Sequence, residues 1–118
     1  MASNKLIARD ALLLRIFIGE DDKFESKPLY ETIVLKAREM RMAGATVIRG
    51  PMGYGHSSLI HTTKILRLSE DLPLVIEIVD SEDKINAFLP ALSSMATSGL
   101  ATLEKVKALQ FSSSTRAE

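Results

Sequence analysis

Cysteine is missing from all 118 positions, so the chain has no disulfide framework, no thiolate nucleophile and no sulfur-ligated zinc site. That agrees with a reducing compartment, and we expect a cytoplasmic protein. An excess of charge of one sign is missing too, because 15 basic residues balance 15 acidic ones. Proteins that neutralise many phosphates carry a basic excess, which sets aside nucleic acid and anionic membrane surfaces as general partners. Aromatics make up only 5%, and no ribonucleoprotein motif supports RNA recognition on a sheet. The third absence is a long apolar run. Ala11 to Gly19 is interrupted by Arg15 and preceded by Arg9 and Asp10. It is too short and too charged to insert into a membrane, and no small-residue cleavage site follows it. What remains, 46% hydrophobic and 25% charged, suits one globular domain that buries about two-thirds of its unfolded surface.

The ends look different from the middle. Residues 1–10 read as a loose N-terminal segment and 112–118 as a flexible tail, leaving a domain at 11–111. Leu12-Leu13-Leu14-Arg15-Ile16-Phe17-Ile18, closed by Gly19 and an acidic cluster, predicts a buried strand. Pro28 suits a first helical position, Leu29, Ile33, Ala37 and Met40 recur at helical spacing, and Gly44 supplies a stop. Thr46-Val47-Ile48 predicts a second strand and Leu74 to Val79 a third. Asp80 or Ser81 then caps a helix with Glu82 and Asp83 in its first turn and Ile85, Phe88, Leu89, Leu92 and Met95 on its apolar face. Pro90 should cost that helix a hydrogen bond or kink it, and Gly99 should end it. Leu100 to Phe111 fits helix and strand spacing equally.

With a final strand, the order is β-α-β-β-α-β. This is an α+β, ferredoxin-like arrangement, a four-stranded antiparallel sheet with both helices on one face. Leu14, Ile16, Ile18, Leu74, Ile76 and Ile78 should then face the helices. Leu13, Arg15, Phe17, Val75, Glu77 and Val79 should face away, with Arg15 opposite Glu77. A sheet with one solvated face alternates with polar residues outward. This second face is largely apolar, so we expect a second copy of the chain to cover it.

Between the second and third strands runs a long connection rich in glycine. Such connections are usually functional or disordered, and the composition favours function, because glycines let backbone amides approach an anion. Residues 52–64 are expected to be mobile without ligand; a β-hairpin arm packed on a neighbouring subunit is the competing view. Gly50-x4-Gly55-His56-Ser57 misses a phosphate-cradling P-loop by one residue, with His56 where lysine is required and no parallel sheet behind it. Nucleotide hydrolysis is set aside on those grounds. Ser57 and Ser58 beside His56 say nothing about triad geometry, and we read the chain as no enzyme. His56 and His61 are the two histidines, and no Asp, Glu or Cys sits close in sequence to complete a metal site. Glu20-Asp21-Asp22 and Ser69-Glu70-Asp71 look like solvated turns.

Arg49-Gly50, Gly53-Tyr54-Gly55-His56-Ser57, and Leu66-Arg67-Leu68-Ser69-Glu70-Asp71-Leu72-Pro73 through Val79-Asp80 strongly resemble a prokaryotic family of uncharacterised PII-like signalling proteins. Gly44-Ala45-Thr46-Val47 and Lys27-Pro28-Leu29-Tyr30-Glu31 match as well. The resemblance covers roughly 10–110. It implies a PII-like, ferredoxin-like fold, a final strand at about 100–109, and trimers packed through their sheets. PII proteins sense adenine nucleotides in clefts between subunits and dock a long loop onto targets. Arg49-Gly50 resembles the start of that loop and Gly55-His56 a pair within it. Two features differ from PII: Leu59 and Ile60 stand where its modified tyrosine would be, and the glycine-rich phosphate loop after the second helix shrinks to Thr97-Ser98-Gly99.

The expected function is therefore a PII-like signalling protein that binds a small anionic ligand between subunits and relays it to a partner through the 50–71 loop. An adenine nucleotide is the leading ligand. The ligand-binding candidates are Arg49, Gly50, Gly53, Gly55, His56, Ser57 and Arg67. The resemblance also implies a transport-linked partner, a membrane transporter or another regulated protein. The alternative is a CutA-like metal-binding trimer using His56 and His61.

Overall fold

A computed structural model of the chain describes residues 4–54, 61–62 and 71–113. The main sheet has four strands: β1 (Asn4–Gly19), β4 (Thr46–Arg49), β7 (Pro73–Asp80) and β8 (Leu100–Ser113). Among the described residues two short ribbons stand outside it, β2 (Lys23–Phe24) with β3 (Lys27–Pro28), and β5 (Met52–Gly53) with β6 (His61–Thr62). The helices are α1 (Leu29–Glu39) and α2 (Glu82–Met95). Sheet order is β4-β7-β1-β8, with every pairing antiparallel, as the ferredoxin-like arrangement requires.

The core forms where the helices meet one face of that sheet. Leu14, Ile16, Ile33, Ile76, Ile78, Ile85 and Phe88 are fully buried there. The strand alternation places Leu14, Ile16 and Ile18 on this face opposite Ile78, Ile76 and Leu74, in the predicted register. Ser81 is the cap of α2, and its Oγ accepts from the Lys84 backbone N–H at 3.2 Å. The helix runs through Pro90 to Met95 with the proline ring exposed, so the lost hydrogen bond falls on the solvent side.

Two local expectations change. Helix α1 stops at Met40, not Gly44, and Arg41 takes the left-handed conformation (φ 61°). The Arg41 N–H donates to the Arg38 carbonyl (3.0 Å) and the Met42 N–H to that of Ala37 (3.0 Å), the paired hydrogen bonds of a Schellman ending. Lys84 Nζ adds a 2.7 Å bond to the Arg41 carbonyl, which ties α2 to the end of α1. Pro28 is the residue before α1, extended at ψ 127°. It closes the β2–β3 hairpin, whose central residues Glu25 and Ser26 both have positive φ.

The largest change concerns the ends. Residues 4–10 extend β1, and their partners are residues 107–113 of β8. The ambiguous last segment is therefore a strand, and a long one. Gly99 starts it at φ +116°, where a Cβ would lie 2.8 Å from the Phe17 carbonyl oxygen. A strand of 16 residues spans about 50 Å, and the molecule measures 56 Å along its longest axis. Because β7 pairs only from Leu12 onward, residues 4–11 form a two-stranded ribbon projecting past the sheet. Asp10 faces Lys107 on that ribbon at 2.7 Å. The hydrogen bond and charge of Lys107 hold the Asp10 carboxyl below its ordinary value of 3.8. A carboxyl depressed on folding stabilises above its unfolded value, and the contribution disappears as pH falls through the native one. Protection factors of the amides along residues 5–9 should therefore fall as pH drops below the ordinary carboxyl value of 3.8 in wild type but not in Asp10→Asn. An equal loss of protection in both would remove Asp10 as the cause.

Candidate functional site

Sheet order brings three chain segments together at one end of the molecule. The β1–α1 turn follows Gly19, the long connection begins at Gly50, and it returns at Asp71-Leu72-Pro73. Gly19 pairs with Pro73 across the β1–β7 ladder, and Arg49 pairs with Leu74 across the β4–β7 ladder. Pro73 therefore stands between the two ends. Its carbonyl accepts from the Gly50 N–H at 2.8 Å. Its ring lies so close to Gly50 and Gly53 that a Cβ on either would be 3.1 or 3.0 Å from Cγ. That contact accounts for two of the glycines by packing.

The turn after β1 is tied to the returning strand by backbone donors. The Glu20 N–H donates to the Leu72 carbonyl (2.8 Å), and the Asp21 N–H to Asp71 Oδ1 (2.7 Å). Within the turn, the Gly19 N–H donates to Asp22 Oδ2 at 2.9 Å. Asp22 then passes the linkage on, its carbonyl accepting from the Leu29 N–H at the start of α1 (2.8 Å). The acidic run read as a solvated turn thus organises the site. Arg49 closes the group through an ion pair between its Nη2 and Glu20 Oε2.

Of the predicted site residues, the structure brings Arg49, Gly50 and Gly53 to this end. Gly55, His56, Ser57 and Arg67 lie outside the described residues. So does most of the 52–64 stretch expected to be mobile; its described parts, β5 and β6, pair as a ribbon. Among the described residues no group of three His, Cys, Asp or Glu could hold a metal ion, and the metal alternative gains no support. Glu20, Asp71 and Pro73 belong to the site and sequence reasoning missed them. The signal was available: once β1 and β7 are neighbours, a glycine ending one and a proline opening the other must sit side by side.

The sheet face away from the helices is organised in cross-strand rows. Leu100, Phe17, Val75 and Ile48 form one apolar row. The next row holds Thr102, Arg15, Glu77 and Thr46. Arg15 Nε donates to Glu77 Oε2 at 2.9 Å, as predicted, and Nη1 reaches Glu104 at 3.4 Å. The Glu77 hydrogen bond holds the guanidinium even more firmly protonated than usual, against a smaller opposing effect of burial.

The chain matches the DUF190 family, described as "Uncharacterized ACR, COG1993", over residues 11–108. It belongs to that family. A "UPF0166 protein" of Aquifex aeolicus (strain VF5) is 43% identical over 97 residues, covering 82% of this chain and 91% of that protein. Among solved structures, a protein of Thermus thermophilus described as PII-like signalling superposes with a TM-score of 0.62 at 16% identity, covering 86% of this chain and 91% of the other. CPII of Thiomonas intermedia K12, solved bound to ADP and bicarbonate, superposes with a TM-score of 0.57 at 16% identity over 88% and 93% of the two chains. This DUF190 member therefore has the PII-like fold. None of its described helices is long and apolar enough to cross a membrane.

Proposed function

We propose that this chain is a non-enzymatic, cytoplasmic PII-like regulator. It assembles as a trimer, binds a small anion between subunits, and relays that binding to a regulated protein, a membrane transporter being one class, through the 50–71 loop. An adenine nucleotide is the first ligand to test. The observation that carries the reading is the fold shared with CPII, a protein solved with ADP and bicarbonate. Arg49, Gly50 and Gly53 support the position, because the arginine and the two glycines packed on Pro73 meet at the base of the loop. In this reading Gly55 adds an amide, His56 and Ser57 donate hydrogen bonds, and Arg67 offsets charge.

Two surfaces support assembly. The open sheet face carries the row Leu100, Phe17, Val75 and Ile48, an apolar stripe suited to a copy of itself. The ribbon of residues 4–11 and 106–113 places Leu6 opposite Phe111 and Ala8 opposite Leu109, with Phe111 83% exposed. A two-stranded ribbon is marginally stable alone, so an apolar one this long calls for a neighbour.

Ligand binding should depend on Arg49 more than on the histidines. A charge-assisted contact contributes about 1.5–3 kcal/mol, so Arg49→Ala should weaken ADP binding by about ten- to a hundredfold in calorimetric titrations. The His56→Ala/His61→Ala double variant should bind ADP within a few-fold of wild type. Failure of wild type to bind ADP, ATP or bicarbonate, with zinc or copper binding that the histidine double variant loses, would end this reading.

A further inference from the structure

Two of the anion donors described at the loop base, Arg49 and Gly50, have partners inside the chain. The Gly50 N–H donates to the Pro73 carbonyl, and the Arg49 guanidinium contacts the Glu20 carboxylate. We propose that Glu20 is a built-in competitor for the anion, holding Arg49 in the free protein and giving way when an anion takes its place. This rests on the reading of Arg49 as the anion-binding residue, and it adds the residue that sets how tightly the anion is held.

Three observations support it. First, the acidic residues of this end have different jobs. Asp22 and Asp71 accept backbone N–H groups of the turn, at 2.9 and 2.7 Å. Glu20 instead directs its carboxylate to the guanidinium, presenting the same oxygen chemistry that a phosphate or carboxylate ligand would offer. Second, Glu20 is delivered by fixed backbone: its own N–H is bonded to the Leu72 carbonyl, so the carboxylate reaches Arg49 without further ordering of the turn. Third, the pair is near the surface, with the Arg49 side chain 58% and that of Glu20 24% exposed. An ion pair in that setting adds little to folding stability, so exchanging Glu20 for an external anion does not unfold the turn. Two anionic groups on one guanidinium repel each other, which makes the exchange competitive.

The test is calorimetric titration of ADP into the full chain at low salt, where surface charges are least screened. Wild type, Glu20→Gln, Arg49→Ala and the double variant are compared, with thermal midpoints recorded for each. Glu20→Gln keeps the size of the side chain and removes its charge, so it should bind ADP about three- to tenfold more tightly with an unchanged midpoint. The gain should vanish in the double variant, because it acts through Arg49. Glu20→Asp, which keeps the charge but withdraws it by one methylene, should fall between wild type and Glu20→Gln. If wild type binds ADP and Glu20→Gln binds no tighter, the competitor is overturned while the regulator reading stands. A gain that persists without Arg49, or a lowered midpoint with weaker binding, also overturns it. If neither wild type nor Glu20→Gln binds ADP, ATP or bicarbonate, the small-anion reading fails and takes this inference with it.

Discussion

Replacing Val75 with glutamate is expected to turn the proposed trimer into monomers. Val75 sits in the middle of the open sheet face, between Phe17 on β1 and Ile48 on β4. It is only partly exposed in the single chain, and a neighbouring copy would dehydrate it further. Glu77, two residues along the same face, already has Arg15 as its partner. A second carboxylate would find no unpaired cation among the residues of these two rows. An unpaired charge in a dry interface costs about 3–5 kcal/mol, and the closed symmetry of the proposed trimer would repeat it at every interface. Sedimentation equilibrium at micromolar concentration should show a trimer for wild type and a monomer for Val75→Glu. The monomer should keep its far-ultraviolet circular dichroism, because the changed side chain points away from the core. A wild-type monomer, or a Val75→Glu trimer as stable as wild type, would refute assembly through this face.

Truncating Phe88 should cost the fold a large share of its stability. Its ring, on α2, is fully buried in the core of Leu14, Ile16, Ile76 and Ile85. Phe88→Ala removes that burial and leaves a cavity in a packed interior, at a cost of about 3–5 kcal/mol. Domains of this size have about 5–15 kcal/mol in total, so the variant should be marginal at physiological temperature. Denaturant unfolding at one fixed protomer concentration is the measurement, since association adds to apparent stability. The midpoint should fall sharply while the slope stays the same. A loss under about 1 kcal/mol would be incompatible with α2 packing on the sheet through this residue.

Periodicity alone determined most of the architecture. Within Leu12–Ile18 and Leu74–Val79 the charged Arg15 and Glu77 mark the side of each strand that faces away from the helices, because a slip of one residue would turn them into the core. Antiparallel pairing of the two strands then lets Arg15 face Glu77, and their 2.9 Å contact follows from that register. Residue type narrowed the cap of α2 to Asp80 or Ser81, and the structure shows Ser81. Local signals failed where several residues share one job. Arg41 ends α1 in a conformation that usually belongs to glycine, supported by two backbone bonds and by Lys84 from the other helix. Residues 4–10 carry too mixed a pattern to be read as a strand, yet pairing with 107–113 extends β1 through them.

The same division runs through the candidate site. Arg49, Gly50 and Gly53 could be singled out by composition, since glycines beside an arginine suggest a place for an anion. Their surroundings could not be, because Glu20, Asp71 and Pro73 come from segments far apart in the chain. Only the strand order β4-β7-β1 sets them side by side. That order also changes what the residues can do. Gly50 packs against Pro73, with its N–H on the Pro73 carbonyl, and Arg49 already holds a carboxylate. Residue type determined which groups can bind an anion; tertiary structure decided which of them already have a partner, because hydrogen bonds and ion pairs form between neighbours in space, whatever their separation in sequence.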